Sequence, residues 1–403
     1  MKMTPIQRWG ALVVVLGAVL GSASSASAYA WMNRHDYGAC ATCHADPSGS
    51  GLLTLYGRAQ SDLLLSTDYS ASGDESGGDL GTFQNFLFGL VDLPNEVLAG
   101  GWIRNGYIWS HFNGKLADER GLFMRADLAA QVKIDAVRFH ATLGVATADS
   151  ATLSQRAQLT SNEDSANLVS REHWVGLDLL DDEMLLRAGR LNLPFGLRII
   201  EHTAWVRSET QTDVNQHQQH GIAAAYNDSD FRTEVMVVLG NFQVSPDDYR
   251  DRGYTGYLEY HAATGLDVGV SSQILHAARD LNVNVENTRQ AHGLFFRAAP
   301  DPIVALLAEF DVMLQSPSGG DTEAGFVGML QADAEPIRGV HLIAMGEVLR
   351  RPQANADTNW GAWGGAQWFV YPHLDVRGDL IYRTTSTGSN DSLVVLLQFH
   401  GYI

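Results

Sequence analysis

The chain has 403 residues, a formal charge of −19 and an ordinary apolar fraction of 45%, with 40 glycines and only 11 prolines. So acidic a balance excludes nucleic acid as a partner, which needs a basic footprint, and suits metal cations or cationic partners. After the first 28 residues no run of about 18 apolar residues follows, which excludes a transmembrane helix from the remainder.

The chain opens with an export signal. Lys2 and Arg8 form a positive flank, "WGALVVVLGAVLG" (9–21) an apolar run, and Ala26-Ser27-Ala28 a small-residue cleavage site. Residues 1–28 are therefore expected to be removed, and the mature chain to begin at Tyr29. Loss of Lys2 and Arg8 makes the mature chain more acidic still. Such a product is periplasmic, secreted, or inserted in an outer membrane as a barrel.

Both cysteines of the chain fall in one five-residue cluster, Cys40-Ala-Thr-Cys43-His44. A disulfide across two residues constrains too little chain to serve as a staple. A thioredoxin-like site would place the pair in a βαβ pattern, which is not visible here. Zinc would want a fourth ligand and usually a second paired cluster. Cys-x-x-Cys-His is the attachment motif of c-type haem: two thiols add to the vinyl groups and the adjacent imidazole ligates the iron. One covalent haem c is expected on Cys40, Cys43 and His44. Met32 and His35, just upstream, are candidates for the opposite face of the iron, and a ligand from farther along is equally open. Residues 29–95 are read as this cytochrome c-like segment, with short helices and the polar, Gly-rich linker "SASGDESGGD" (70–79).

From about residue 96 the pattern changes and holds to 403. In "LFMRADLAAQVK" (122–133), Leu122, Met124, Ala126, Leu128, Ala130 and Val132 alternate with mostly polar residues, the period of a strand with one apolar face. After a turn near Asp135, Val137, Phe139, Ala141, Leu143 and Val145 repeat it. Strand-like segments fall near 97–112, 120–134, 136–148, 168–180, 183–193, 219–227, 231–242 and 252–263, then near 265–276, 288–299, 303–315, 323–334, 338–350, 358–370, 373–384 and 391–403. These sixteen are each near the length of about 9–11 residues that a tilted strand needs to span a bilayer.

Short turns ("IDA", "LDDE", "NDSD", "AATG", "APDP", "AEPIR", "YPH") alternate with longer loops near 113–119, 149–167, 194–218, 243–251, 277–287, 316–322 and 351–357. That alternation is the mark of an antiparallel outer-membrane β-barrel with its longer loops outside. The expected fold is all-β, a barrel of about 16 strands carrying a small N-terminal haem domain. Trp102, Trp109, Trp174, Trp368, Tyr371 and Tyr382 are expected in interfacial girdles. Arg125, Asp127, Lys133, Arg138, Glu309, Asp311, Asp375, Arg377 and Asp379 are expected to face the lumen. The longest loop, near 194–220, carries Arg198, His202, Trp205, Arg207, His217 and His220. It reads either as a lumen constriction touching the haem segment or as a rim loop.

One haem motif ahead of about sixteen strands resembles the fused monohaem cytochrome–porins of the bacterial outer membrane, whose best-known members are iron oxidases. The resemblance rests on Cys40, Cys43 and His44, on Pro47, and on "YGR" (56–58), which is similar to the "FGR" that follows the motif in that family. "GRLNLPFGLR" (189–198) is similar to a segment of phosphate-selective-type porins. "WMNRHDYGA" lacks the run that precedes the motif in the iron oxidases. The resemblance implies a haem held in or at the barrel mouth, passing electrons between an extracellular donor or acceptor, with Fe²⁺ as a candidate, and a periplasmic c-type cytochrome or other carrier. That would make the chain an electron-transfer protein, and an Fe(II)-oxidising oxidoreductase if iron is the donor. The alternative is a diffusion porin whose haem segment is a plug or redox sensor. A third reading is a haem enzyme acting on a small ligand at an open iron position.

Overall fold

The computed structural model describes residues 30–35, 37, 39–67, 86–87, 90–146, 167–371, 373–388 and 390–403. The signal segment, the 70–79 linker and nearly all of the expected 149–167 loop lie outside these residues.

Sixteen strands close into one antiparallel barrel, each paired with its sequence neighbours and β1 with β16. They are β1 (Val97–Phe112), β2 (Lys115–Ile134), β3 (Val137–Ala146), β4 (Asn167–Leu179), β5 (Met184–Leu191), β6 (Gln219–Asn227), β7 (Phe231–Gly240) and β8 (Arg252–Ala263). Then follow β9 (Leu266–Ala277), β10 (Asn287–Asp301), β11 (Val304–Pro317), β12 (Glu323–Ile337), β13 (Val340–Arg350), β14 (Thr358–Tyr371), β15 (Leu374–Thr385) and β16 (Ser392–Tyr402). The sequence periodicity placed all sixteen. Closure matters physically because an open edge would leave a row of unpaired backbone groups, which lipid cannot satisfy.

Alternation sets the two faces. In β7 the side chains of Phe231, Val235, Val237 and Leu239 are exposed on the outer wall, whereas Arg232, Glu234, Met236 and Val238 are buried inward. The same holds around the barrel, with Leu128, Leu294, Leu330, Leu380 and Leu397 all more than half exposed. An apolar belt of this extent is far larger than the patches that a water-soluble monomer tolerates. The inner wall buries Asp127, Glu309, Asp311, Asp375, Arg377 and Asp379, and it also orients Lys133 and Arg138 onto Asp178, as the alternation predicts.

Two expectations need correction. The loop placed at 113–119 is a two-residue turn, Asn113-Gly114, both with positive φ (50° and 73°). That is the Asn-Gly hairpin turn whose twist matches the flanking strands, so β1 and β2 continue directly up to it. Trp102 and Trp174 do not belong to an outer girdle. Trp174 is buried against the lumen, stacked on His140 at 4.9 Å, and Trp102 lines an internal cavity. Trp368, Tyr371 and Tyr382 are exposed as expected.

The lumen is filled from both ends. The barrel's even-to-odd connections, such as 228–230 and 338–339, are all short and define one end. From that end residues 30–67 enter. Arg34 pairs with Asp333 (2.6 Å) and Glu335 (3.0 Å), and Trp31 and Met32 pack with Leu65, Ala305 and Phe369. From the opposite end the 192–218 connection between β5 and β6 folds inward and carries the single-turn helix α2 (Trp205–Ser208). Phe195, Leu197, Trp205 and Val206 form the main hydrophobic core with inner-wall residues such as Phe295, Leu307 and Trp363. Arg207 pairs with Glu309, and Glu347 accepts from the Trp205 amide at 2.6 Å. Of the two readings of this loop, the structure realises the lumen constriction.

Candidate functional site

The Cys-x-x-Cys-His segment is a tight turn. The amides of Cys43 and His44 donate to the Cys40 carbonyl at 3.1 and 2.9 Å, so the chain coils once and sets Cys43 beside His44. The helix α1 (Leu55–Leu65) follows. It is capped by Thr54, whose Oγ1 accepts from the Gly57 amide at 3.0 Å and donates to the Thr42 carbonyl at 2.9 Å. Gly57 lies against the motif: a Cβ there would come within 2.2 Å of the Cys43 carbonyl oxygen. This gives the "YGR" stretch a physical role. The glycine permits the helix to sit on the Cys-x-x-Cys-His turn, and the next residue, Arg58, donates to the Ala99 carbonyl on β1.

Both thiols are buried and unlinked. Cys40 points to Arg232 on the wall and packs on Gly49, whereas Cys43 faces a cavity. Burial, reinforced by Cys40, pushes the Cys43 thiol up to about 12. A redox or thiolate-metal cysteine sits in an environment that lowers this value, which is not the surroundings of Cys43. Among the described residues no three His, Cys, Asp or Glu side chains come together as a metal-ion site.

The segment is locked to the wall by a buried polar network around Asp46. Its Oδ1 accepts from the Ser48 amide (3.1 Å) and lies 3.2 Å from Arg187 Nη1; its Oδ2 accepts from Asn192 Nδ2 at 2.9 Å. Arg187, fully buried, also pairs with Glu234 and lies over the Trp174 ring at 5.3 Å. Burial opposes the charged form of Asp46, but Arg187 and Arg198 outweigh it and hold the carboxyl below its ordinary value. Arg198, from the inward loop, donates to Ser48 Oγ at 2.7 Å. The two chain segments that fill the lumen are thus joined at this point.

Cys43 and His44 line a cavity of about 200 Å³. Met32 lines it too. His35 does not; it lies 3.7 Å from Glu335. The remaining wall includes Leu52, Trp102, Ile199 and Tyr402 with the guanidinium residues Arg58, Arg104, Arg125 and Arg198 and the imidazoles of His202, His373 and His400. Apart from Cys40, which points to Arg232 instead, this set matches what a c-type haem would need: a thiol and an imidazole from the motif, a thioether and further imidazoles, apolar surface, and cationic groups suited to carboxylate side chains.

Of the arginines and the histidines beyond 44, Arg125 was expected in the lumen, Arg198 and His202 on the long loop and Arg58 in the "YGR" stretch; Arg104, His373 and His400 were not singled out, and the inward position of Arg104 and His400 in the strand alternation is shared by dozens of others.

No protein-family model matches the chain, and no curated protein does. Solved structures do. OmpT of Vibrio cholerae superposes with a TM-score of 0.58 at 10% identity, covering 78% of this chain and 100% of OmpT. The anion-selective porin from Comamonas acidovorans gives 0.56 at 11%, covering 76% and 99%. OmpF of Salmonella typhi gives 0.53 at 11%, covering 77% and 100%. The fold is that of the outer-membrane porins. At these identities the likeness carries the fold and nothing finer, and it leaves about a quarter of this chain unmatched.

Proposed function

We propose that the chain is an electron-transfer protein of the bacterial outer membrane, its barrel embedded in outer-membrane lipid and its residues 30–67 facing the periplasm. Cys40 and Cys43 attach a single haem c and His44 ligates its iron. When bound, that group supplies a one-electron couple. The chain's own residues do the rest. Leu52, Trp102 and Ile199 limit water at the cavity, and Arg58, Arg104, Arg125 and Arg198 offer cationic partners to carboxylates. The Asp46–Arg187 network fixes the motif to the wall. The observation that carries the reading is the location of Cys43, His44 and Met32 around one cavity inside the lumen. Donor or acceptor on the outside, with Fe²⁺ as the candidate, and a periplasmic c-type cytochrome or other carrier on the inside complete the path.

A second reading, a diffusion porin plugged by residues 30–67, is favoured by the structural neighbours, two of which are named as a porin and a channel. The filling of the lumen from both ends argues against it. Two measurements separate the readings. On intact cells, a membrane-impermeant reductant or Fe²⁺ is expected to reduce the haem of the expressed protein, seen as growth of the reduced optical bands. Failure of every external donor and acceptor to change the haem's oxidation state would exclude the conduit. In a planar bilayer the purified protein is expected to be nearly silent, and large steady ohmic steps would support the diffusion porin.

The barrel's orientation follows from strand parity. A tag inserted at 318–322, between β11 and β12, is expected to be labelled on sealed cells, and one at 228–230, between β6 and β7, is expected to be labelled only after permeabilisation. Reversed labelling would invert the assignment of sides.

A further inference from the structure

We infer that His400 is the second axial ligand of the iron. This rests on the haem reading above and deepens it. His400 lies on β16 at an inward position and lines the same cavity as His44. Its Nδ1 is held by Asp375 Oδ2 at 2.8 Å, across the β15–β16 pairing that sets the two residues opposite each other. Asp375 is itself buried, and its other oxygen accepts from Gln367 Nε2 at 2.9 Å. A carboxylate on Nδ1 fixes the tautomer and leaves Nε2 as the basic nitrogen, which is the arrangement that orients metal-ligating histidines.

No carboxylate holds the imidazole of His202, which meets the Ile200 backbone instead. Met32 packs in an apolar cluster with Trp31, Leu65 and Phe369, where a buried thioether needs no ligand role to account for it. His202 sits on the inward loop and also lines the vestibule on that loop's far side. His400 instead stands on a strand of the rigid wall, so the barrel itself would supply the ligand opposite the one supplied by the motif. Such a ligand would close the iron to small molecules, which disfavours the reading of an open-site haem enzyme. Asp375 is then a positioning residue, acting through the imidazole.

The test uses the full-length protein expressed with a haem-attachment system and purified in detergent. Covalent haem staining on a denaturing gel comes first, because its absence from the wild type would remove the haem reading itself. In a protein that stains, the wild type is expected to be low-spin in both oxidation states and to lack the far-red band of a thioether-ligated ferric haem. His400→Ala is expected to keep the stain, become high-spin and bind carbon monoxide when reduced, with added imidazole restoring the low-spin spectrum. His400→Gln serves as a second variant should the alanine protein fail to show heat-modifiable barrel migration. Asp375→Asn is expected to stay low-spin but to raise the reduction potential, since the imidazole loses basicity. A low-spin His400→Ala or His400→Gln protein, or a Met32→Ala protein that alone becomes high-spin, would overturn the assignment.

Discussion

Replacing Cys40 and Cys43 together by alanine is expected to abolish covalent haem staining while the barrel still forms. The strands that make the wall pair only with one another, from β1 round to β16, and none of their ladder bonds involves residues 39–44. The cysteines contribute buried apolar volume and a contact from Cys40 to Arg232, a side chain that also has Glu259 as partner. Losing two sulfur atoms therefore costs on the order of 1 kcal/mol each in packing, small against the closed hydrogen-bonded sheet. Heat-modifiable migration checks the barrel, and a haem stain on the same gel checks attachment. A double variant that still carries covalent haem would show that the attachment residues lie elsewhere.

The second large effect is expected at Arg187, which is remote from the motif in sequence but ties it to the wall. Arg187→Ala would leave Asp46 and Glu234 buried without their shared counterion, a change that typically costs about 3–5 kcal/mol. The expected results are a lower temperature of barrel unfolding and cleavage of residues 30–67 by a protease added from the periplasmic side, to which the wild type is resistant. Asp46→Asn in the Arg187→Ala background is expected to recover part of the loss, because it removes one of the two stranded charges. Unchanged protease resistance in Arg187→Ala would show that the network does not anchor the segment. The pH dependence has a definite sign. Asp46 is held below its ordinary value, so its contribution is complete above about pH 4, the unfolded carboxyl's range, and is lost as pH falls through the lower folded value. The contribution of Asp46 itself is thus expected to be lost only in acid.

Much of this protein is decided by its sequence alone. Strict period-two alternation over sixteen segments leaves a strand one apolar and one polar face, and the short turns between them leave adjacent strands no partner but each other. That is why β3, with Phe139 and Leu143 outside against His140 and Thr142 inside, could be assigned side by side from residue types. The haem proposal starts from three residues within five positions, Cys40, Cys43 and His44, whose spacing is recognisable whatever the surroundings. Where the sequence misled, a local signal was outweighed. Asn113-Gly114 marks a hairpin, but the polar residues after it resemble a loop although they continue β2. Trp102 and Trp174 look like girdle residues, yet their parity turns them inward.

Only the tertiary structure decides what fills the barrel. Arg187 meets Asp46, Arg34 meets Asp333, and Asp375 meets His400 because closing the sheet brings inner faces from distant parts of the chain around one lumen. Any inward position on a strand can hold a charge, and alternation says nothing about which of them will lie opposite residues 30–67. The depth of that segment, the inward course of residues 192–218 and the cavity that Cys43 shares with Met32 and His400 follow from burial of apolar and ion-paired surface across the whole barrel, a balance that no single stretch of sequence contains.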